Sequence, residues 1–347
     1  MKLFSCDRCQ QTLYFENSRC VSCGEILAYN PDTAQLATLK TGDRFCRNAR
    51  ERDACNWLVS GNEEAGYCRS CELSSVIPDL SDAANEVAWR RIEAAKRRLL
   101  YTLFSLELPV VNRVAQPEGG LTFRFMKSTE DAPVMTGHDD GVITLNIDEA
   151  DFSFRENMRE KMGEGYRTVL GHLRHEIGHY YWDRLIRDEP ARLERFHAVF
   201  GDDRASYEEA LEHHYEYGPH AQWQERFVSA YASMHPWEDW AETWAHYLHM
   251  VDTLETAKSH GLTLRAPAAE KPGERVATDR LAFFDFDALS AGWNALTLAL
   301  NSLNRSMGMK DAYPFVLSPT VLGKLRFVHA VIQGQRHVAI APAEAAA

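Results

Sequence analysis

The stretch GHLRHEIGHYYWDRL, residues 171–185, sets His175, Glu176 and His179 in the order His-Glu-x-x-His. On a helix, residues four apart share a face, so both imidazoles can offer a ring nitrogen to one ion. Glu176 lies about 100° round the axis, where it can hydrogen-bond a water beside that ion without ligating it. Gly178 keeps the same turn slim, so a substrate or another element can approach closely. The competing reading is an ordinary helix with two buried, hydrogen-bonded histidines. A third ligand separates the two, because catalytic zinc takes three protein ligands and keeps a position open.

The best source of that ligand is YASMHPWEDWAETWAHYLH, residues 231–249. His235-Pro236 sets up a helix start, and Glu238 and Glu242 then lie one turn apart on one face. Either carboxylate can serve, and Glu238 also gains from the dipole in the first turn. Trp237, Trp240, Trp244 and Leu248 form an apolar stripe that would dock this helix on the motif helix. Among the other histidines, His213, His214 and His220 occupy a polar, acidic segment and are expected at the surface. They are an alternative third ligand without spacing to support it. His246 is expected to be a hydrogen-bonded core histidine, and His172 either lines the cleft or shares the helical face by coincidence.

A second chemistry sits at the other end of the chain. All eight cysteines precede residue 72. Cys6 and Cys9 form a C-x-x-C pair, as do Cys20 and Cys23. Cys46, Cys55 and the pair Cys68/Cys71 make a second set. In a reducing compartment such pairs read as thiolates closing two structural four-sulfur zinc sites, since two cysteines on a tight knuckle can aim both sulfurs at one tetrahedral ion. An interleaved pairing, Cys6/Cys9 with Cys68/Cys71, stays open. A redox dithiol has no βαβ pattern to support it. A segment this short buries little apolar surface, so metal would supply much of its folding energy.

These residues need elements to hold them. The chain has 347 residues, 45% hydrophobic and 25% charged, which suits one large domain and a small one. A net charge of −12 and a near-neutral cysteine-rich end argue against nucleic acid or anionic membrane as a partner. The N-terminus has charges and cysteines where a signal peptide needs an apolar core, and no apolar run is long enough to span a bilayer, so a cytoplasmic location is expected. Residues 74–82 read as a linker with Ser81 or Asp82 capping a helix over 82–105. Residues 121–126 and 141–147 read as strands, the second with Ile143, Leu145 and Ile147 on one face. A helical stretch over 154–200 is broken near Gly163 and Pro190, and further helices are expected at 203–216, 221–233, 237–258, 284–306 and 318–333. Residues 265–279 read as a surface loop. The resulting class is α+β: a zinc-ribbon domain over 1–75, a mainly helical domain with a small sheet over 76–340, and a tail at 341–347.

His-Glu-x-x-His followed by a Glu-x-x-x-Glu helix resembles the gluzincin metallopeptidases, and YASMHPWEDWAETWA is similar to the matching segment of anthrax lethal factor. The whole order of motifs, from the zinc knuckles through CNWL and CRSCELSSVIPDL to HLRHEIGHYYW and HPWEDWAETWAHYLH, resembles the bacterial family named "putative zinc-binding metallopeptidase" with an N-terminal zinc ribbon. The resemblance implies one catalytic zinc on His175, His179 and Glu238, Glu176 as general base, Tyr231 as oxyanion stabiliser and Glu242 orienting a ligand. It implies a peptide or protein substrate, with 141–147 as an edge strand beside the cleft. The ribbon could then choose a protein partner. A non-catalytic adaptor with a closed fourth ligand, and a zinc hydrolase of non-peptide amides, are the rival functions.

Overall fold

The first half of the chain is organised around its cysteines and one long helix. A computed structural model describes residues 1–60, 66–161, 165–262 and 285–340. Two small antiparallel hairpins open the chain, β1 (Phe4–Ser5) with β2 (Thr12–Leu13) and β3 (Leu27–Asn30) with β4 (Gln35–Thr38). A short helix α1 (Arg47–Arg52) follows, then β5 (Ser74–Val76) and α2 (Ala83–Ser105). The next elements are β6 (Thr122–Met126), β7 (Gly137–Asp139), β8 (Val142–Asn146) and α3 (Phe152–Lys161).

Strands β5, β6, β8 and β7, in that spatial order, form a four-stranded sheet, parallel except for β7. Ile143 and Leu145 are buried on one face of β8, as alternation predicts. Two expectations fail here. The linker starts later than its composition suggests, because Ser74–Val76 pairs with β6. Residues 141–147 are not an edge strand, because β8 lies between β6 and β7. Asp82, not Ser81, caps the helix, accepting the Ala84 amide at 2.8 Å.

Residues 1–105, 109–158 and 168–173 form one compact unit, and the remainder a second. In the first, Phe15, Tyr29 and Trp57 of the ribbon meet Tyr101 of α2 edge-on or tilted, with ring centres of neighbouring pairs 4.9–6.2 Å apart. Of the stripe expected from helical spacing in α2, Ala88, Ile92, Ala95 and Leu99, Ile92 and Leu99 are buried and the two alanines half-buried, while Trp89 is buried beside them. Glu93, Lys96 and Arg97 of the same helix are buried too, so α2 carries charge into the core.

The second unit is helical. It holds most of α4 (Val169–Trp182), then α5 (Pro190–Phe200), α6 (Tyr207–Tyr217), α7 (Pro236–Ser259), α8 (Phe286–Ser306) and α9 (Pro319–Ile340). A π-turn over Asp183–Arg187 separates α4 from α5, and Pro190 starts α5. Helix α7 is the centre of this unit, packing against α5, α8 and α9.

No helix forms over 221–233. Gln222 is left-handed, Ser229 Oγ accepts the Ala232 amide and Ser233 Oγ donates to the Ala230 carbonyl, so side chains claim backbone groups a helix would need. Two 3-10 turns stand there instead, Trp223–Glu225 and Tyr231–Ser233. Gly163, the 265–279 loop and the 341–347 tail lie outside the described residues. No helix among those described is long and apolar enough to cross a membrane.

Candidate metal centre

Helix α7 starts where local chemistry directs it. His235 is extended, its Nδ1 accepts the Trp237 amide at 3.1 Å, and Pro236 fills the first turn. That puts Glu238 and Asp239 at the positive end of the helix dipole. Helix α7 then crosses α4 at Gly178. A Cβ on Gly178 would lie 3.0 Å from Ala241 Cα and 3.2 Å from Trp244 Cβ, so tight that the neighbouring helix would have to shift by a few tenths of an ångström. The Trp240 indole donates to the Gly178 carbonyl at 2.8 Å, and Trp244 stacks on Tyr181 with ring centres 4.9 Å apart. The slim turn of the motif therefore serves a neighbouring helix.

This crossing brings three side chains to one point. His175 Nε2 lies 2.9 Å from Glu238 Oε2 and 3.2 Å from His179 Nε2, and His179 Nε2 lies 3.5 Å from Glu238 Oε1. Ligand atoms of all three lie within 4.8 Å of one another. Glu238 is 2% exposed, and its Oε2 faces His175 Nε2 with no other hydrogen-bond partner among the described residues. A buried carboxylate needs a positive partner, and a cation shared with two imidazoles supplies one, so the donor set fits zinc. The electrostatics agree. Burial alone would lower the His175 pKa, but the Glu238 and Glu242 carboxylates hold it well above its usual value. Burial would raise Glu238, yet the two histidines hold it well below the carboxylate range. A proton on His175 supplies the positive charge that a divalent ion would bring.

The two carboxylates that spacing leaves open take different places. Glu238 joins the cluster, while Glu242 Oε1 meets the outer ring nitrogen of His175, Nδ1, at 2.7 Å. Ser229 Oγ donates to the other Glu242 oxygen at 2.7 Å, and the pairing with His175 overcomes burial to hold Glu242 at a pKa of about 2. Glu176 is buried beside the cluster. Its pKa is raised by burial, against the pull of His175 and His179, which suits a base. Tyr231 sits in the 3-10 turn before α7, its ring centre 6.0 Å from that of His175. Burial and the nearby Glu238 keep its hydroxyl protonated.

Three contacts here escape sequence reasoning. Tyr207, the first residue of α6, donates its hydroxyl to Glu238 Oε1 at 3.0 Å. The Trp237 ring covers His179 with centres 3.8 Å apart, so Trp237 belongs to the site and not only to the docking stripe. Ser229 carries no motif at all.

The remaining histidines lie elsewhere. His213, His214 and His220 line a cavity of about 240 Å³ with Ser233 and Met234 and do not join the ligand cluster. His246 is buried with Nδ1 2.7 Å from the Tyr313 hydroxyl, the expected core histidine. His172 faces Glu149 at 3.6 Å.

The cysteines gather in chain order and not interleaved: Cys6, Cys9, Cys20 and Cys23 form one cluster, and Cys46, Cys55, Cys68 and Cys71 another. Sulfur pairs approach to 3.6 Å (Cys9–Cys20) and 3.7 Å (Cys6–Cys23, Cys55–Cys68). Such crowding splits the thiols: amide donors from the knuckle pull Cys20 down to about 6, while burial and its neighbours push Cys23 up to about 12. Buried Arg97 of α2 donates to the Ala54 carbonyl and places its charge near the second cluster. A fourth group, His197 with Asp202 and Asp203, is partly open, and Arg204 already engages Asp202 with two contacts of 2.7 Å.

Comparison with known proteins agrees with this arrangement. Residues 85–331 match the family described as "Putative zinc-binding metallo-peptidase", and residues 3–82 match a zinc-ribbon domain. Uncharacterized proteins of Mycobacterium tuberculosis and Mycobacterium bovis are each 44% identical over 336 residues, covering 96% of this chain and 95% of theirs. No solved structure matches. The chain belongs to this metallo-peptidase family.

Proposed function

We propose that this member of the family is a zinc-dependent peptidase whose metal is held by His175, His179 and Glu238. The observation that carries the reading is the convergence of three donors, buried His179 and Glu238 and half-buried His175, on two helices crossing at Gly178. Zinc bound there would supply Lewis acidity, acidifying water and polarising a carbonyl.

The chain's own groups do the rest. Glu176 takes the proton of the attacking water and returns it to the leaving amine, work worth about 10²–10⁴-fold in rate. Tyr231 donates its hydroxyl to the carbonyl oxygen as that oxygen gains charge, a contribution of about 2–4 kcal/mol. With an ion in place of the second proton, Glu242, itself held by Ser229, would keep the remaining proton of His175 on Nδ1 and leave the Nε2 lone pair to the cluster. Trp237 covers the His179 ring and limits its rotation. The two cysteine clusters hold structural zinc, and the substrate is a peptide or protein.

The test is zinc per chain together with hydrolysis of a peptide library. Wild type is expected to hold three zincs, and folded Glu238→Ala two. Glu176→Gln is expected to keep three and lose hydrolysis about 10²–10⁴-fold. Two zincs in wild type, unchanged by Glu238→Ala, would leave the motif an ordinary helix.

A further inference from the structure

We propose that Tyr207 is a positioning residue for the metal centre: its hydroxyl holds one oxygen of Glu238 and leaves the other to the ion. The inference rests on the peptidase reading above and adds a residue that no motif contains.

The two oxygens of Glu238 are not equivalent. Oε1 accepts the Tyr207 hydroxyl at 3.0 Å, whereas Oε2 meets His175 Nε2, 2.9 Å away, and no other hydrogen-bond partner among the described residues. A carboxylate free at both oxygens can swing or bind an ion with both. One tethered at Oε1 presents a single oxygen, which matches a four-coordinate zinc with one open position.

Tyr207 is not there to fill a core. It is 37% exposed, and no residue of α6 is buried. Its position is set by the residue that starts α7. His235 uses Nδ1 to accept the Trp237 amide and so keeps its proton on Nε2, which donates to the Ala205 carbonyl at 3.1 Å. One imidazole therefore fixes the helix that carries Glu238 and the strap that carries Tyr207. Ser206 then caps α6 through the Glu209 amide at 3.3 Å, and the Tyr207 ring stands edge-on to His235 with centres 5.4 Å apart.

Tyr207→Phe removes only the hydroxyl of a partly exposed ring, so folding is not at stake. Site zinc affinity is expected to fall about 10–100-fold in competition with a chromophoric chelator. The ribbon zincs, on other residues, serve as the internal reference. In protein loaded with Co²⁺ at this site, the visible bands should weaken as Glu238 becomes free to bind with both oxygens. A third zinc whose affinity and cobalt spectrum are unchanged in Tyr207→Phe overturns the role of Tyr207 and leaves the peptidase reading standing. A wild type without a third zinc overturns both.

Discussion

At the scale of single residues, the proposed zinc site separates groups that would meet the ion from groups that tune its neighbours, and the difference lies in which atom points where. Glu238 and Glu242 are one turn apart and chemically equal, yet one faces inner ring nitrogens and the other an outer one. His246, a turn further on, illustrates the tuning environment. Burial, opposed by Glu242, pushes its pKa down to about 4 from an ordinary 6.5. An unfolded chain takes up this proton as pH falls below 6.5, while the folded one refuses it until near 4. The stability His246 contributes is thus present above pH 6.5 and lost as pH falls through 4. His246→Gln should flatten the loss of stability over that window by up to about 1.4 kcal/mol per pH unit, read from urea midpoints at pH 7.5 and 4.5. An unchanged slope would mean that His246 does not resist protonation.

At the scale of elements, the α4–α7 crossing is the device that assembles the centre, and it depends on the absence of one Cβ. Gly178→Ala would force that atom against Ala241 Cα, which is backbone and cannot rotate away. A loss of about 1–3 kcal/mol is expected, with weaker zinc binding at the site. Gly323 in α9 is the control, since a Cβ there meets nothing within 4 Å. Gly323→Ala should stabilise by about 0.5–1 kcal/mol, as helix propensity alone dictates. Thermal unfolding of the two variants, side by side, separates close packing from propensity; equal shifts would refute the crossing argument.

At the scale of the molecule, the zinc ribbon is built into a larger unit. Tyr101 and Arg97 of α2 reach the ribbon's aromatic core and its Ala54 carbonyl. A zinc on four thiolates carries two negative charges. Buried Lys96 and Arg97, less the charge of Glu93, leave one positive charge nearby to offset half of them. Loss of the second ribbon metal should therefore loosen more than the knuckles. In Cys55→Ser, zinc content is expected to fall by one per chain, and amide exchange should accelerate along α2 as well as in the ribbon. Exchange confined to residues 46–71 would show the ribbon to be energetically separate.

Much of this was legible without coordinates. The proposed metal chemistry lies in short motifs whose spacing matches one helical turn or one knuckle, so His175, His179 and the C-x-x-C pairs stand out as candidates, and Pro236 marks where α7 begins. Periodicity also picked out the buried face of β8 and, in α2, Ile92 and Leu99. Tertiary structure alone decided the remainder, because it joins positions that no local period links. Ser74–Val76 becomes a strand only because β6 lies beside it. Residues 221–233 forgo a helix for side-chain contacts. The choice of Glu238 depends on how two helices cross, and Tyr207 reaches it from 31 residues away. Spacing fixes what one helix face can present; only packing fixes what meets it.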